Sequence, residues 1–290
     1  MALYRLYHST IYDYAEPVII GTHFIHLLPR ERPGQKVLES GLTISPVPDN
    51  RRDEVDHFGN FTTSVSLITQ HRQFSVLLDA VVDVAHPPAP TMGQTPAWEA
   101  IAAWGQSAPD IAEFCLPSRL AEPNADISAY AAASFAPGRS VMEVISDLNN
   151  RIFTDLTYQP GVTNNATTAA QVLPIMAGVC QDYAHLMLAC MRAWGLPGRY
   201  ISGYLRTLPP PGEQKWRGAD QSHAWVSAWL GPDYGWVDFD PTNNLIVFDE
   251  HVTLAWGRDF GDVSPLRGVI LGGGRHTLTV SVDLAEIEPR

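Results

Sequence analysis

Cysteine is scarce in this sequence, with three among 290 residues, at positions 115, 180 and 190. An odd, low count with no CxxC or Cys/His spacing argues against a disulfide framework and against a structural zinc site. Charge is sparse as well, at 17% of residues, and it leans one way: 31 acidic against 19 basic residues, a formal net charge of -12. No run of Lys or Arg occurs, so the phosphate-neutralising footprint of a nucleic-acid binder is missing. No stretch approaches the roughly 20 apolar residues that span a bilayer. The opening Met1-Ala2-Leu3-Tyr4-Arg5-Leu6-Tyr7-His8 has neither the apolar core nor the cleavage site of a secretory signal. There is no internal repeat and no low-complexity tract. These absences predict a cytoplasmic protein with neither nucleic-acid nor membrane partners. What is present is 45% hydrophobic residues, ample for a core, in a chain long enough for one large domain or two.

As far as about His86 the chain reads as strands. Thr10–Tyr14, Val37–Ile44, Phe61–Ile68 and Phe74–Val84 are rich in β-branched and aromatic residues, with turn signals at Pro33-Gly34, Pro48-Asp49-Asn50 and Gly59-Asn60. Such spacing predicts an N-terminal β-sandwich-like domain over residues 1–88, ended by the Pro-rich His86-Pro87-Pro88-Ala89-Pro90. Residues 89–290 form the second unit. There the period turns helical: Trp98–Trp104 and Ile127–Phe135, then a capping box at Ser140/Glu143 with a stripe of Val141, Val144, Ile145, Leu148 and Ile152. A second box, Thr168/Gln171, opens a short helix that Pro174 disturbs. A helix from Cys180 to Trp194, stopped by Gly195, carries the stripe Ala184, Met187, Leu188, Met191 and Trp194. Strands follow at Tyr200–Leu205, His223–Leu230, Trp236–Asp240, Leu245–Phe248 and Leu278–Val282.

Cys180 stands where this helix begins, in Gly178-Val179-Cys180-Gln181-Asp182-Tyr183. Unpaired N–H groups and the macrodipole at a helix N-terminus stabilise a thiolate, and a backbone N–H there can donate to an oxyanion. Most free cysteines are simply small buried hydrophobes. That reading suits Cys190, mid-helix among apolar residues, and Cys115, which has no His or Gly context.

Two segments supply partners. Ser222–Leu230 alternates like a strand, Trp236–Asp240 is a second one, and Gly231-Pro232-Asp233-Tyr234-Gly235 between them is a turn. Facing positions of an antiparallel pair have a constant sum. Setting His223 opposite Asp240 centres the hairpin between Gly231 and Pro232, within the turn residues. An imidazole and a carboxylate then share one sheet face, where Asp240 could orient His223 and His223 could deprotonate Cys180. Asp238 has the same parity and is the competing carboxylate. Taken singly, Asp240 before Pro241-Thr242-Asn243-Asn244 could belong only to a turn, and His223 could be an ordinary strand histidine. His185, five residues after Cys180, points away from the thiol.

Gly178–His185, His223-Ala224-Trp225-Val226 and Asp240–Asn244 resemble the three motif blocks of the bacterial transglutaminase-like core, in the same order: Cys, His, Asp. The likeness spans roughly residues 140–260. Tyr12-Asp13-Tyr14, Leu28-Pro29-Arg30 and Asp56-His57-Phe58-Gly59-Asn60 resemble the β-domain that precedes this core in bacterial members, and Gly257–Gly268 resembles the family's C-terminal block. The resemblance implies an α+β, papain-like arrangement: a helix bearing the cysteine, packed on an antiparallel sheet bearing His and Asp. It implies thioester chemistry on an acyl group, and the superfamily includes cross-linkers, peptidases and amide hydrolases.

The expectation is therefore a cysteine hydrolase, with a peptide or protein substrate and Cys180, His223 and Asp240 as its catalytic triad. The backbone N–H of Cys180 would form half of an oxyanion hole. Tyr158 and Gln181 are candidates for the other half, or with Trp225 for a substrate wall. Water is the default acceptor; transfer to an amine is the alternative, and a non-catalytic binding module on the same fold is a second one. Residues Leu208–Gln221, with Pro209-Pro210-Pro211-Gly212 and Trp216, would form a rim. No cofactor is expected. A metal protein would have to draw on ten scattered histidines, of which His23 and His26 form the closest pair in sequence.

Overall fold

The structure, a computed structural model, describes residues 2–207 and 221–288. The N-terminal unit is built of β1 (Ala2–Ile25), β2 (Gln35–Ser45), β3 (Asn50–Val55), β4 (Phe61–Leu67) and β5 (His71–Val84). Helices α1 (Trp98–Ser107), α2 (Pro109–Ala112), α3 (Ala125–Ala131) and α4 (Val141–Asp155) follow. Then come β6 (Thr157–Tyr158), α5 (Ala169–Ile175), β7 (Ala177–Gly178) and α6 (Cys180–Ala193). The remainder is β8 (Gly198–Leu205), β9 (Gln221–Trp229), β10 (Trp236–Asp240), β11 (Leu245–Ile246), β12 (His251–Gly257), α7 (Phe260–Val263), β13 (Leu266–Gly272) and β14 (His276–Glu286).

β1 organises the first unit. Ala2, Tyr4, Leu6, His8 and Thr10 are buried in strict alternation, the mark of a strand with one face on a core. Residues 2–13 pair with β5 and 4–14 with β14, whereas 21–25 pair with β4 and 18–25 with β13. Both neighbours break in step between residues 14 and 18, so β1 runs through two halves of a bent, sandwich-like sheet. The sequence reading places residues 266–286 in the second unit; in space they complete the first. A 24-residue strand has two long edges to satisfy, and without β13 and β14 one of them would lie open. β3 escapes a sequence reading because Asn-Arg-Arg-Asp-Glu-Val is exposed throughout. It is an edge strand dressed in charge.

The second unit centres on α6. Every residue from Gln181 to Arg192 is buried. The helix is apolar beyond the expected stripe because it is covered on both sides, by α3, α4 and α5 and by β8 and β9. Truncating Leu188, with no exposed surface, to Ala would cost about 2–5 kcal/mol. The sheet has the order β11-β10-β9-β8-β12, all antiparallel. Gly195, at φ +76°, ends α6 as expected.

The C-terminal block ties into this helix. Arg192 donates to the carbonyls of Phe114, Ala121, Gly198 and Arg258 and to Ser118. His185 Nε2 accepts from the Phe260 N–H at 3.2 Å, and burial pushes this imidazole down to about 3, so it serves as a neutral internal acceptor. The block read as a family likeness therefore anchors the helix that carries Cys180.

Candidate active site

The chain enters α6 through a parallel bridge between β6 and β7, with Thr157 N–H on Met176 O at 2.9 Å and Gln159 N–H on Gly178 O at 2.8 Å. Val179 has no acceptor side chain for the N-cap, so Asp182 folds back and takes the Val179 N–H on Oδ2 at 2.8 Å, with the Thr163 hydroxyl at 2.6 Å. Gly178 makes room for that carboxylate: a Cβ there would lie 2.7 Å from both Cβ and Cγ of Asp182. Gly178 is thus required by close approach, not by a left-handed backbone. Cys180 is the first residue of α6, half-exposed, with an N–H that has no intrahelical acceptor.

His223 on β9 faces Cys180 and Asp240. Its Nε2 lies 2.7 Å from Asp240 Oδ2, which leaves Nδ1 to face the thiol. Burial of the ring opposes protonation, but the hydrogen bonds to Asp240 and then to Cys180 outweigh it and raise the pKa to about 10. Asp240 is fully buried and accepts five hydrogen bonds. Oδ1 takes the N–H groups of Thr242 and Asn243 at 2.9 and 3.2 Å. Oδ2 takes His223, Asn243 Nδ2 at 2.7 Å and His251 Nε2 at 3.2 Å. Burial alone would raise this carboxyl, yet the bonds from His223 and His251 hold it far below the usual range.

The hairpin register differs from the expectation. Ser227 pairs with Asp238 and Val226 with Phe239; continued, this sets Asp240 level with Trp225, and His223 lies diagonally across. The slip is even, so the shared face survives. Its cause is the turn: Leu230 N–H bonds to Gly235 O at 2.8 Å, and Gly231 and Gly235 both take positive φ, which centres the hairpin between Pro232 and Asp233, one residue later than expected. Asp238 is committed elsewhere, to Arg32 at 2.5 Å and the Trp225 indole at 3.0 Å.

Cys180 and His223 open into a cleft of about 440 Å³ with Tyr158, Leu205, Thr207, Ser222, Thr242 and Asn243. Of the other sequence candidates, Tyr158 is brought to this cleft. Gln181 is buried at the start of α6, and Trp225 is buried against Asp238; neither lines it. The expected rim at Pro209–Gly212 and Trp216 lies outside the described residues. His23 stacks on Phe74 with centroids 3.9 Å apart, and His26 bonds to Asp56 and to Ser264 O, so these two do not form a pair. Among the described residues, the one group of three metal-ligating types is His223, Asp240 and His251, with donor atoms within 4.8 Å. The 2.7 and 3.2 Å contacts from both Nε2 atoms to one carboxylate oxygen are those of direct hydrogen bonds. His251 is the site residue that sequence reasoning missed; its signal was a histidine in the alternating run His251–Ala255.

Residues 4–83 match the bacterial transglutaminase-like N-terminal region and residues 129–241 the transglutaminase-like superfamily core. An uncharacterized protein of Mycobacterium tuberculosis is 38% identical over 292 aligned positions, covering 98% of this chain and 93% of that protein. One from Mycobacterium leprae is 30% identical, covering 98% of each. A protein-glutamine gamma-glutamyltransferase of Pseudomonas aeruginosa is 31% identical over 107 positions, which is 37% of this chain and 16% of that protein. A crystal structure from Cytophaga hutchinsonii, assigned provisionally as a cysteine protease, superposes with a TM-score of 0.78 at 23% identity. It covers all of this chain and 92% of its own, and it shares the fold. The chain belongs to the bacterial transglutaminase-like family, a group of thiol-dependent hydrolases and acyltransferases.

Proposed function

We propose that this protein performs acyl chemistry on a peptide or carboxamide bond through a thioester on Cys180, with water as the first acceptor. The observation that carries the reading is the junction of Cys180, His223 and Asp240 at the floor of an open cleft. The Cys180 sulfur attacks the carbonyl carbon as its proton passes to His223. The tetrahedral oxyanion lies by the Cys180 N–H, and Tyr158, whose phenol is kept protonated by burial and by the neighbouring Cys180, is the proposed second donor. The C–N bond breaks as His223 protonates the amine. Water, deprotonated by His223, then attacks the thioester, releasing the carboxylate and the thiol. The described lining has no Lys, Arg, Asp or Glu, which suits a neutral acyl side chain such as a glutamine amide or a plain peptide. Transfer to an amine is the second reading, supported by the local similarity to the glutamyltransferase.

The test is incubation of the purified protein with peptide, glutamine-amide and isopeptide libraries, with and without a primary amine, read by product mass. A mass gain of one unit in ¹⁶O water, rising in ¹⁸O water, reports hydrolysis of a primary carboxamide; cleavage into two fragments, the acyl one gaining the water oxygen, reports hydrolysis of a peptide or isopeptide bond; an amine adduct reports transfer. Turnover that persists in Cys180→Ala would place the chemistry elsewhere.

A further inference from the structure

Asp240 Oδ2 is contacted by two imidazoles. His223 lies at 2.7 Å and His251, from β12, at 3.2 Å. A single base on a single carboxylate would suffice for the proposed chemistry, so the second ring calls for a reason. Its side chain is 2% exposed, packed edge-on against Trp225 with centroids 5.0 Å apart at 79°. Its Nδ1 is buried without a hydrogen-bond partner. The ring therefore has an acceptor for one proton, at Nε2, and none for a second. The titratable groups around it are Asp240, His223 and His86, whose ring approaches the His251 backbone. Arg32 and Asp238 beyond them neutralise one another.

Resting on the reading above, we propose that His251 is a positioning residue: as a hydrogen-bond donor it shares the Asp240 oxygen with His223 and so limits how strongly Asp240 holds the His223 proton. The base must accept a proton from Cys180 and then give it to the leaving amine, and a carboxylate whose charge falls on His223 alone would favour the first step at the expense of the second. Orientation of Asp240 does not depend on His251, because the Thr242 and Asn243 N–H groups and Asn243 Nδ2 already fix it. Removing His251 therefore acts on charge sharing more than on geometry.

The test needs no substrate. The rate of Cys180 alkylation by iodoacetamide is followed from pH 5 to 11, with mass mapping, in wild type, His251→Phe and His251→Gln. Wild type should show an upper inflection where His223 loses its proton. His251→Phe should move that inflection to higher pH by about half a unit or more, and His251→Gln, which keeps an N–H donor, should return it. An inflection that stays or moves down in folded His251→Phe overturns the proposal. Should the Phe variant fail to fold, ¹⁵N ring spectra of the wild type decide. A proton on His251 Nε2 with none on Nδ1 supports the assignment, and an Nδ1–H tautomer overturns it. Failure of the underlying reading looks different: wild-type Cys180 would show no His223-linked inflection at all.

Discussion

Replacing Asp240 by Asn tests the site at its centre, and the structure sets the size of the effect. Asp240 accepts five hydrogen bonds with no surface exposed. An amide offers one oxygen. Turned toward Thr242 and Asn243, it presents its NH₂ to His223 and His251; turned toward the imidazoles, it presents the NH₂ to two backbone donors. At least two buried donors lose their acceptor in either pose, at about 1–3 kcal/mol each. The chemical loss is larger. With the anion gone, burial is opposed only by the Cys180 thiol, and the His223 pKa of about 10 should fall toward the ordinary value of about 6.5. A drop of about three pH units removes roughly a thousandfold of imidazolium stabilisation. Iodoacetamide labelling of Cys180 at pH 7 should slow by about two to three orders of magnitude. The control is Asp238→Asn, which leaves buried Arg32 unpaired. It should cost about 3–5 kcal/mol of stability while Cys180 labelling in the folded protein stays within about threefold. If Asp240→Asn labels at the wild-type rate, or if folded Asp238→Asn loses as much reactivity, the roles assigned to the two carboxylates are wrong.

Further expectations follow from single contacts. Gly178→Ala should push the Asp182 carboxylate off the Val179 N–H, lowering stability by about 1–3 kcal/mol and slowing Cys180 labelling; a crystal structure with Asp182 unmoved would refute this. Burial lowers His8 and His23 to about 4 and His185 to about 3, so below about pH 6.5 protons bind the unfolded chain first and stability falls toward pH 4. His223, raised to about 10, contributes stability that is complete below about pH 6.5 and is lost as pH rises through 10. Calorimetry from pH 4 to 11 should therefore place the highest Tm near neutrality, and a Tm still rising at pH 9 would contradict the His223 assignment. Asn60→Ala removes both bonds to Trp256 and should cost about 2–4 kcal/mol by urea unfolding.

What the sequence made legible was local. A cysteine at a helix start, a histidine opening one strand and an aspartate closing the next need only motif spacing and strand parity, and the 2.7 Å His223–Asp240 contact joins the two partners so identified. The register slipped by two because the turn closed by Leu230 and Gly235 is centred between Pro232 and Asp233, one residue later than setting His223 opposite Asp240 required. His251 was hidden for a different reason. It reaches Asp240 only because β12 lies beside β8 at the far side of the sheet from β10, a long-range pairing that no period within residues 251–257 reveals. The return of β13 and β14 to β1 was equally invisible: the alternation of Leu278, Val280, Val282 and Leu284 marks a strand but names no partner for it, and β13 is largely exposed.

The motifs of the N-terminal unit gain a physical meaning from the same strand. β12 is the outer strand of the core sheet, and its free backbone groups are met by side-chain amides. Gln35 receives the Thr253 N–H and donates to Thr253 O, both at 2.7 Å. Asn60 does the same for Trp256, at 2.9 and 2.8 Å. Each amide imitates a strand neighbour and closes an edge that would otherwise invite pairing with another chain. Asp56 holds Asn60 in place through its amide and its N–H, and the Arg30 guanidinium stacks on the Trp256 ring while donating to Asn60. The residues from Asp56 to Asn60 and Arg30 thus fasten β12, and β12 presents His251 to Asp240. The N-terminal unit accordingly reaches the candidate site through β12, and also through Arg32 on Asp238 of β10 and His8 on Tyr204 of β8; among the described residues it contributes none to the cleft lining.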